Sequence, residues 1–235
     1  MGAISNMTGK ALGALGKNLA PRHTSVFVRS VLDRAIDGVG PLPGAAKSAD
    51  RERIKAKGDV EAAIGELIDG HAKLAGAQGF ATNIGGIVTA AAAIPANIAG
   101  LALIQCHLVA GIAHLRGYDL QDPNVRNAVL ACLLGKSGVR SLVGDRRLPA
   151  TPFGIATAAE HDPAVDEQIV QTITAELIAG VGGKRLATFV GKRIPLVGGA
   201  IGGASDGYGT WQVGRYAAKE LRRNGKERTT MNSPG

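Results

Sequence analysis

The side chains best placed for chemistry are two histidines and a cysteine within an uncharged part of the chain. Cys106 directly precedes His107, and His114 follows seven residues later. On one helix, seven residues are two turns and roughly 10 Å along the axis, which is too far for two imidazoles to share a metal ion easily. The chain contains no HExxH, P-loop or GxSxG motif. We therefore expect no metal and no cofactor, and the spacing assigns no catalytic residue.

One further ionisable residue, Asp206, stands within a glycine-rich stretch. A helix cap or an ion pair with a nearby arginine would explain its presence without catalysis. An enzyme with a site around His107, His114 or Asp206 is the third of three functional hypotheses. A metal or small molecule in the purified protein would favour it.

The segment KRLATFVGKR, residues 184–193, has the pattern of a basic amphipathic helix. Its cations gather on one side of a helical wheel: Lys184, Arg185, Lys192 and Arg193. Its apolar residues gather on the other: Leu186, Phe189 and Val190. Such a segment can lie on an anionic membrane, where each cation contributes about 1 kcal/mol. A helix with its apolar side on the core and its charged side in water shows the same pattern, so both interpretations stay open.

The residues after this segment extend both its charge and its aromatic content. Further candidate anion-binding cations are Arg215, Lys219 and Arg222. The candidate membrane-interface residues are Phe189, Tyr208 and Trp211, and the amphipathic rings of tyrosine and tryptophan suit such an interface.

The net charge of +8 is concentrated at one end of the chain. Residues 1–183 carry 17 basic and 16 acidic side chains, a balance of +1, whereas residues 184–235 carry 10 and 3, a balance of +7. Such an end is usually offered to an anionic surface, which could be lipid, nucleic acid or an acidic protein. Nucleic acid is disfavoured because the chain has no recognisable nucleic-acid-binding motif and few aromatic rings for base stacking.

A strip of glycines precedes Tyr208. Gly199, Gly203 and Gly207 stand four residues apart, and Gly198 with Gly202 form a second row. Small residues at this spacing let another helix approach closely. The partner could be a helix of the same chain, such as the small-residue face at 84–93, or a second subunit or lipid. The second functional hypothesis follows from this strip. It is a protein–protein assembly module in which the strip forms the interface with a second copy, as in a homo-oligomer, or with another protein.

The segments around these residues are predicted to be helices. Asp59, Asp122 and Asp162 are candidate helix caps, the last two followed by proline. Residues 38–48 read as a loop and 49–58 as a solvated charged segment. Residues 74–115 carry no Lys, Arg, Asp or Glu and are long enough to cross a bilayer. Pro95 and the polar residues within them favour a buried helical hairpin broken near Pro95 instead.

Two blocks of this chain resemble the EcsC family of bacterial proteins. The first is GFATNIGGIVTAAAAIPANIAG with the following IAHLRGYDLQDPNVR, and the second is KRIPLVGGAIGGASDGYGTWQVGRYAAKEL. The resemblance extends over roughly residues 25–220. It implies a helical domain that is cytoplasmic or loosely attached to a membrane, and it supplies no catalytic residues.

Taken together, these features predict an all-α, compact single-domain helical bundle with closely packed Gly- and Ala-rich helices. We expect a flexible N-terminal segment at 1–22, a helical domain at 23–222 and a disordered basic tail at 223–235. Cys106 and Cys132 are the only cysteines, and we expect both to be unpaired in a reducing cytoplasm. The leading functional hypothesis is a non-enzymatic protein that attaches to an anionic membrane or lipid surface, at the inner face of the membrane, through its basic C-terminal quarter.

Overall fold

The computed structural model describes residues 21–84, 90–175 and 195–222, with side chains described over 25–79, 99–175 and 203–222. Helices joined by short loops make up most of this part of the chain, with one small sheet, which confirms the predicted all-α class. The helices are α1 (Pro21–Asp37), α2 (Ala45–Lys55), α3 (Val60–Ile84), α4 (Ala90–Leu115), α5 (Pro123–Cys132), α6 (Gly135–Gly144), α7 (Pro152–Ala156), α8 (163–175) and α9 (Pro195–Glu220). Strands β1 (Gly38–Val39) and β2 (Leu42–Pro43) form an antiparallel hairpin between α1 and α2.

The proposed tail at 223–235 and all but the last two residues of the proposed segment 1–22 lie outside the described residues. Helix α1 begins at Pro21, two residues before the expected start of the domain. The two flanking predictions therefore stay predictions.

Helices α3, α4 and α9 form the centre of the bundle, with α3 and α9 in the most extensive contact. Their contacts run from Gly79 against Asp206 to Ile68 against Gly214, so the two helices are antiparallel. Helix α4 packs along both. Its fully buried residues include Leu108, Val109, Ala110, Ile112 and Ala113. Helices α1 and α2 cover α4 elsewhere, and α5 joins α4 to α7.

The uncharged stretch 74–115 forms the end of α3 and all of the described α4. Among the described residues, no helix combines the length and apolarity needed to cross a membrane. The prediction that the hairpin breaks near Pro95 is wrong, because α4 begins at Ala90 and continues through this proline. Pro95 lies in the second turn of α4, so it removes only one main-chain hydrogen bond close to the helix start.

The predicted helix caps are confirmed. The carboxylate of Asp59 accepts from the Ala62 amide at 3.0 Å, and that of Asp122 accepts from the Asn124 amide at 2.8 Å. The Asp162 carboxylate accepts from the amide two residues later, also at 2.8 Å. Each aspartate satisfies an amide that has no partner inside its own helix.

The region predicted as loop and solvated segment instead contains the β1–β2 hairpin and α2. Gly38 has a φ of 96°, which favours glycine, and starts the hairpin. Helix α2 buries Ala45 and Ala49 completely, and its remaining residues are partly or fully exposed. Two small residues are enough to seat a short helix, but they give no large apolar stripe that the sequence pattern could reveal.

Candidate functional site

Helix α9 divides its residues sharply between an inner and an outer face. Facing the core are Gly203, Thr210, Val213, Gly214 and Ala217, all buried, and the buried Leu221 follows directly after the helix. The exposed residues on the other side include Tyr208, Trp211, Arg215 and Lys219. The 3.6-residue period of the helix places the candidate interface aromatics and two candidate cations on one surface. We call the row Tyr208, Trp211, Arg215 and Lys219 the outer α9 row.

The aromatic rings of this row contact each other and remain partly exposed to solvent. Tyr208 is 60% exposed and Trp211 is 40% exposed. Their ring centroids lie 6.0 Å apart with an angle of 15° between planes, an offset stack. The guanidinium carbon of Arg215 lies 5.7 Å from the Trp211 ring centroid, within the range of a cation–π contact. Two amphipathic rings and a cation therefore form one ordered outward-facing group.

The candidate cations on α9 and just after it differ in their surroundings. Among the described residues, no carboxylate lies within salt-bridge distance of Arg215 or Lys219. Arg222 is different, because its guanidinium lies 4.0 Å from the carboxylate of Glu61. Arg215 and Lys219 are therefore the α9 cations most available to an external anion.

The end of α9 is anchored from α4. Arg116 donates to the Glu61 carboxylate at 2.5 Å and to the main-chain carbonyl of Ala218 at 3.0 Å. The hydrogen bond from Arg116 lowers the pKa of Glu61. This arrangement ties the last turn of α9 to α3 and α4 and leaves the outer row facing away.

The remaining candidate surface residues precede the described part of α9. Five of these residues lie outside the described part of the chain: Lys184, Arg185, Phe189, Lys192 and Arg193. For Gly198, Gly199 and Gly202 the structure describes the helical backbone but not the packing. Their assigned roles stay predictions.

The described half of the glycine strip packs against α3 of the same chain. A Cβ added to Gly207 would lie 2.9 Å from the Ala72 carbonyl oxygen, and one added to Gly76 would lie 3.3 Å from the Gly203 carbonyl oxygen. Gly76 and Gly79 of α3 supply the matching small residues. The sequence pointed to 84–93 as the partner face, whereas the observed partner of Gly203 and Gly207 is the middle of α3, around Ala72 and Gly76.

The structure does not bring His107, His114 and Asp206 together. His114 contacts the Asp50 carboxylate at 3.0 Å, and Asp206 lies against Gly79. His107 instead contacts His71 of α3, with 2.8 Å between His71 Nε2 and His107 Nδ1. Within the described ranges, no group of three or more His, Cys, Asp or Glu side chains could hold a metal ion.

The pKa values of both histidines are lowered. Burial, and secondly the neighbouring His107 ring, lower the pKa of His71 to about 4. Burial also lowers the pKa of His107. Sequence reasoning did not single out His71, because its partner is 36 residues away and only the register between α3 and α4 joins them.

Both cysteines are free and buried. Burial raises the pKa of Cys106 to about 12 and also raises that of Cys132. Because the thiolate is the reactive form, neither side chain is suited to nucleophilic chemistry.

Comparison with known proteins places these features in a family. No curated protein and no solved structure is significantly similar to this chain. The model of the EcsC protein family matches residues 58–223, which include α3, α4 and α9 and therefore the histidine pair, the glycine contact and the outer α9 row. Since the match extends over most of the chain, this protein belongs to the EcsC protein family.

Proposed function

We propose that this protein attaches to the surface of anionic membranes through the outer α9 row and the basic segment that precedes α9. The observation that carries the proposal is the outward-facing group of Tyr208, Trp211 and Arg215. Large aromatic side chains are usually buried, so two stacked rings that are 60% and 40% exposed favour a surface that binds a partner.

The chemistry of the row matches the headgroup region of a bilayer. Tyrosine and tryptophan favour this region because each has an apolar body and a polar group. The Arg215 guanidinium, held beside the Trp211 ring, can reach phosphate while the rings enter the acyl boundary. Lys219 follows one turn later on the same side.

Charge supplies the second part of the proposal. Residues 184–235 have a balance of +7, and each cation near an anionic surface contributes about 1 kcal/mol. The candidate cations Lys184, Arg185, Lys192 and Arg193, with Phe189 between them, would act together with Arg215 and Lys219. Attraction over a Debye length would bring the protein to the surface, and the aromatic rings would then fix α9 on it.

The packing of α9 supports attachment without unfolding. Gly203 and Gly207 fix its middle against α3, and Arg116 ties its end to α4. The outer row is therefore presented by a helix that is already formed, so binding does not have to offset the entropy of folding it.

The same packing weighs against the assembly hypothesis. A seam between subunits would need Gly203 and Gly207 on a free surface, and both contact α3 of the same chain. This observation favours the lipid proposal over an assembly module built on the glycine strip.

The test uses Trp211 as its own probe, because it is the only tryptophan in the chain. Vesicles containing phosphatidylserine should shift the Trp211 emission to shorter wavelength, and neutral phosphatidylcholine vesicles should not. By vesicle sedimentation, the double substitution Tyr208→Ala and Trp211→Ala should weaken binding by about tenfold or more, since each buried ring contributes on the order of 1 kcal/mol.

A matched control is Phe27→Ala, which removes another partly exposed aromatic ring, on α1. It should leave vesicle binding unchanged. Equal binding by the wild type and the Tyr208/Trp211 variant, both folded by circular dichroism, would refute the role of this row.

A further inference from the structure

A pocket of about 290 Å³ lies beside α2 and α3, away from the outer α9 row, and the histidine pair lines it. Its residues come from β2, α2, α3 and α4. Those that carry polar or charged side chains are Ser48, Arg51, Glu52, Lys55, Glu66, His71 and His107. Neither the proposed membrane attachment nor the family membership assigns a role to this pocket.

Three short contacts connect the two rings to each other and to the main chain. Nδ1 of His71 lies 2.7 Å from the Leu67 carbonyl oxygen, and Nε2 of His107 lies 2.9 Å from the Pro43 carbonyl oxygen. Between the rings, Nε2 of His71 lies 2.8 Å from Nδ1 of His107.

The number of protons in this chain of contacts follows from elementary chemistry. A carbonyl oxygen only accepts, so each outer nitrogen must carry a proton to bond with Leu67 or Pro43. The two inner nitrogens also need a proton between them, because two lone pairs repel at 2.8 Å. The three contacts therefore need three ring protons, whereas two neutral imidazoles carry two.

We propose that His71 and His107 form a single proton-binding site, and that the bound proton fixes the β1–β2 hairpin to α4 through the Pro43 carbonyl. The ligand is one proton shared by the pair. With the proton present, all three contacts are hydrogen bonds. Without it, one of the three must be lost.

The contact to Pro43 is the one that yields. Leu67 precedes His71 by one turn of the same helix, so its carbonyl is fixed relative to the ring. The ring-to-ring contact is set by the packing of α3 on α4. Pro43, by contrast, belongs to a strand of two residues.

A replacement partner for the unprotonated ring is already in place. Ser48 Oγ lies 3.3 Å from Nε2 of His107. A hydroxyl can donate to a bare nitrogen, whereas the Pro43 carbonyl cannot. Loss of the proton therefore exchanges Pro43 for Ser48 as the partner of His107 and releases β2.

The pH at which this exchange of partners takes place depends on the charges around the pair and on its burial. Lys55 donates to Glu52 at 2.8 Å, so these two charges largely offset each other. Arg51 of α2 and Glu66 of α3 are the other charged side chains in the pocket. These charges balance, so burial decides, and it disfavours the charged pair at neutral pH. Proton uptake consequently belongs to the acidic side of neutrality, and two adjacent imidazolium rings exclude a second proton.

The experiment is nitrogen NMR of the full chain labelled with 15N, titrated from pH 8 to about pH 3, so that the range extends below the lowered pKa of His71. The wild type should gain one ring proton for the pair, with a single midpoint seen at both rings. At the same midpoint, the protection factors of the amides in residues 38–44, which are exchange rates corrected for the intrinsic dependence of exchange on pH, should rise by about tenfold, as expected for one gained hydrogen bond from a charged donor.

His71→Gln provides the decisive variant. The glutamine amide can donate to Nδ1 of His107, which leaves Nε2 protonated and bonded to Pro43 at every pH. The hairpin amides should then keep the higher protection factor throughout the titration, while His161→Gln should behave as the wild type. Separate titration of the two rings, uptake of two protons, or hairpin exchange that ignores the uptake would each overturn the proposal, and the wild-type titration decides it even if the variant does not fold.

Discussion

At the scale of single residues, the candidate membrane surface depends on two aromatic rings that are exposed, although aromatic rings are usually buried. Tyr208 and Trp211 were predicted from residue type alone to contact a membrane interface, and the structure places both on the outer side of α9. Residue type could not show that Arg215 lies over the Trp211 ring, since this depends on the side-chain directions of a formed helix.

The lowered pKa of His71 predicts a loss of stability in acid. The unfolded ring binds a proton near pH 6.5, whereas the folded ring does so only near pH 4. Between these values the unfolded chain holds more protons, so the free energy of unfolding rises with pH across this window. The difference for His71 is about 3 kcal/mol, fully present above pH 6.5 and lost towards pH 4.

Urea unfolding at pH 7 and at pH 4.5 measures this effect. His71→Gln should reduce the difference between the two pH values, while His161→Gln should retain it. If the free energy of unfolding of the wild type is the same at both pH values, the buried uncharged pair is contradicted. The acid loss is compatible with a hairpin fixed by the proton, because the bond to Pro43 recovers only part of the cost of burying the charge.

At the scale of elements, the sequence predicted helices best where capping chemistry marks them. Asp59, Asp122 and Asp162 each begin a helix as expected. Helix α2 was missed because only Ala45 and Ala49 face the core, and two methyl groups produce no recognisable stripe. The hairpin break was misplaced because a proline near a helix start costs little.

For the glycine strip, the sequence predicted close packing but could not identify the packing partner. Its spacing predicted close approach of another helix, and Gly207 does lie against the main chain of α3. Its partner, Gly76, could not be identified from sequence, because small residues at 84–93 offered an equally suitable face. The register of α3 against α9 decides between them, and that register depends on the whole bundle.

Two glycine positions of α9, separated by Tyr208, test this contact. Gly207→Ala would put a Cβ 2.9 Å from the Ala72 carbonyl oxygen, so strain of about 1–3 kcal/mol should outweigh the gain of about 1 kcal/mol in helix propensity. At Gly209 an added Cβ meets nothing within 4 Å, so Gly209→Ala should stabilise by about 1 kcal/mol.

Thermal and urea unfolding of the two variants give the comparison directly. Opposite signs of the change in unfolding free energy are expected. Stabilisation by Gly207→Ala as large as that by Gly209→Ala would show that α3 and α9 do not approach closely in solution.

At the scale of the whole molecule, the fold holds part of the strongly basic end of the chain in the helical bundle. The chain carries nearly all of its net charge after residue 183, and α9, which belongs to this part, is held in the bundle by α3 and α4. The helical fold could be predicted from composition and spacing. The orientation of the charged end relative to the core could not, because it depends on contacts such as that of Arg116 with Ala218.

The most direct test of membrane attachment is flotation of the purified protein with vesicles in a density gradient, at low and high salt. We predict flotation with phosphatidylserine-containing vesicles at low salt, loss of flotation at high salt because screening weakens the attraction, and no flotation with neutral vesicles. Substituting Gln for Lys184, Arg185, Lys192 and Arg193 should abolish it, while Arg140→Gln on α6 should not. No flotation with anionic vesicles at low salt, or equal flotation with both lipids regardless of salt, would contradict attachment by a basic surface.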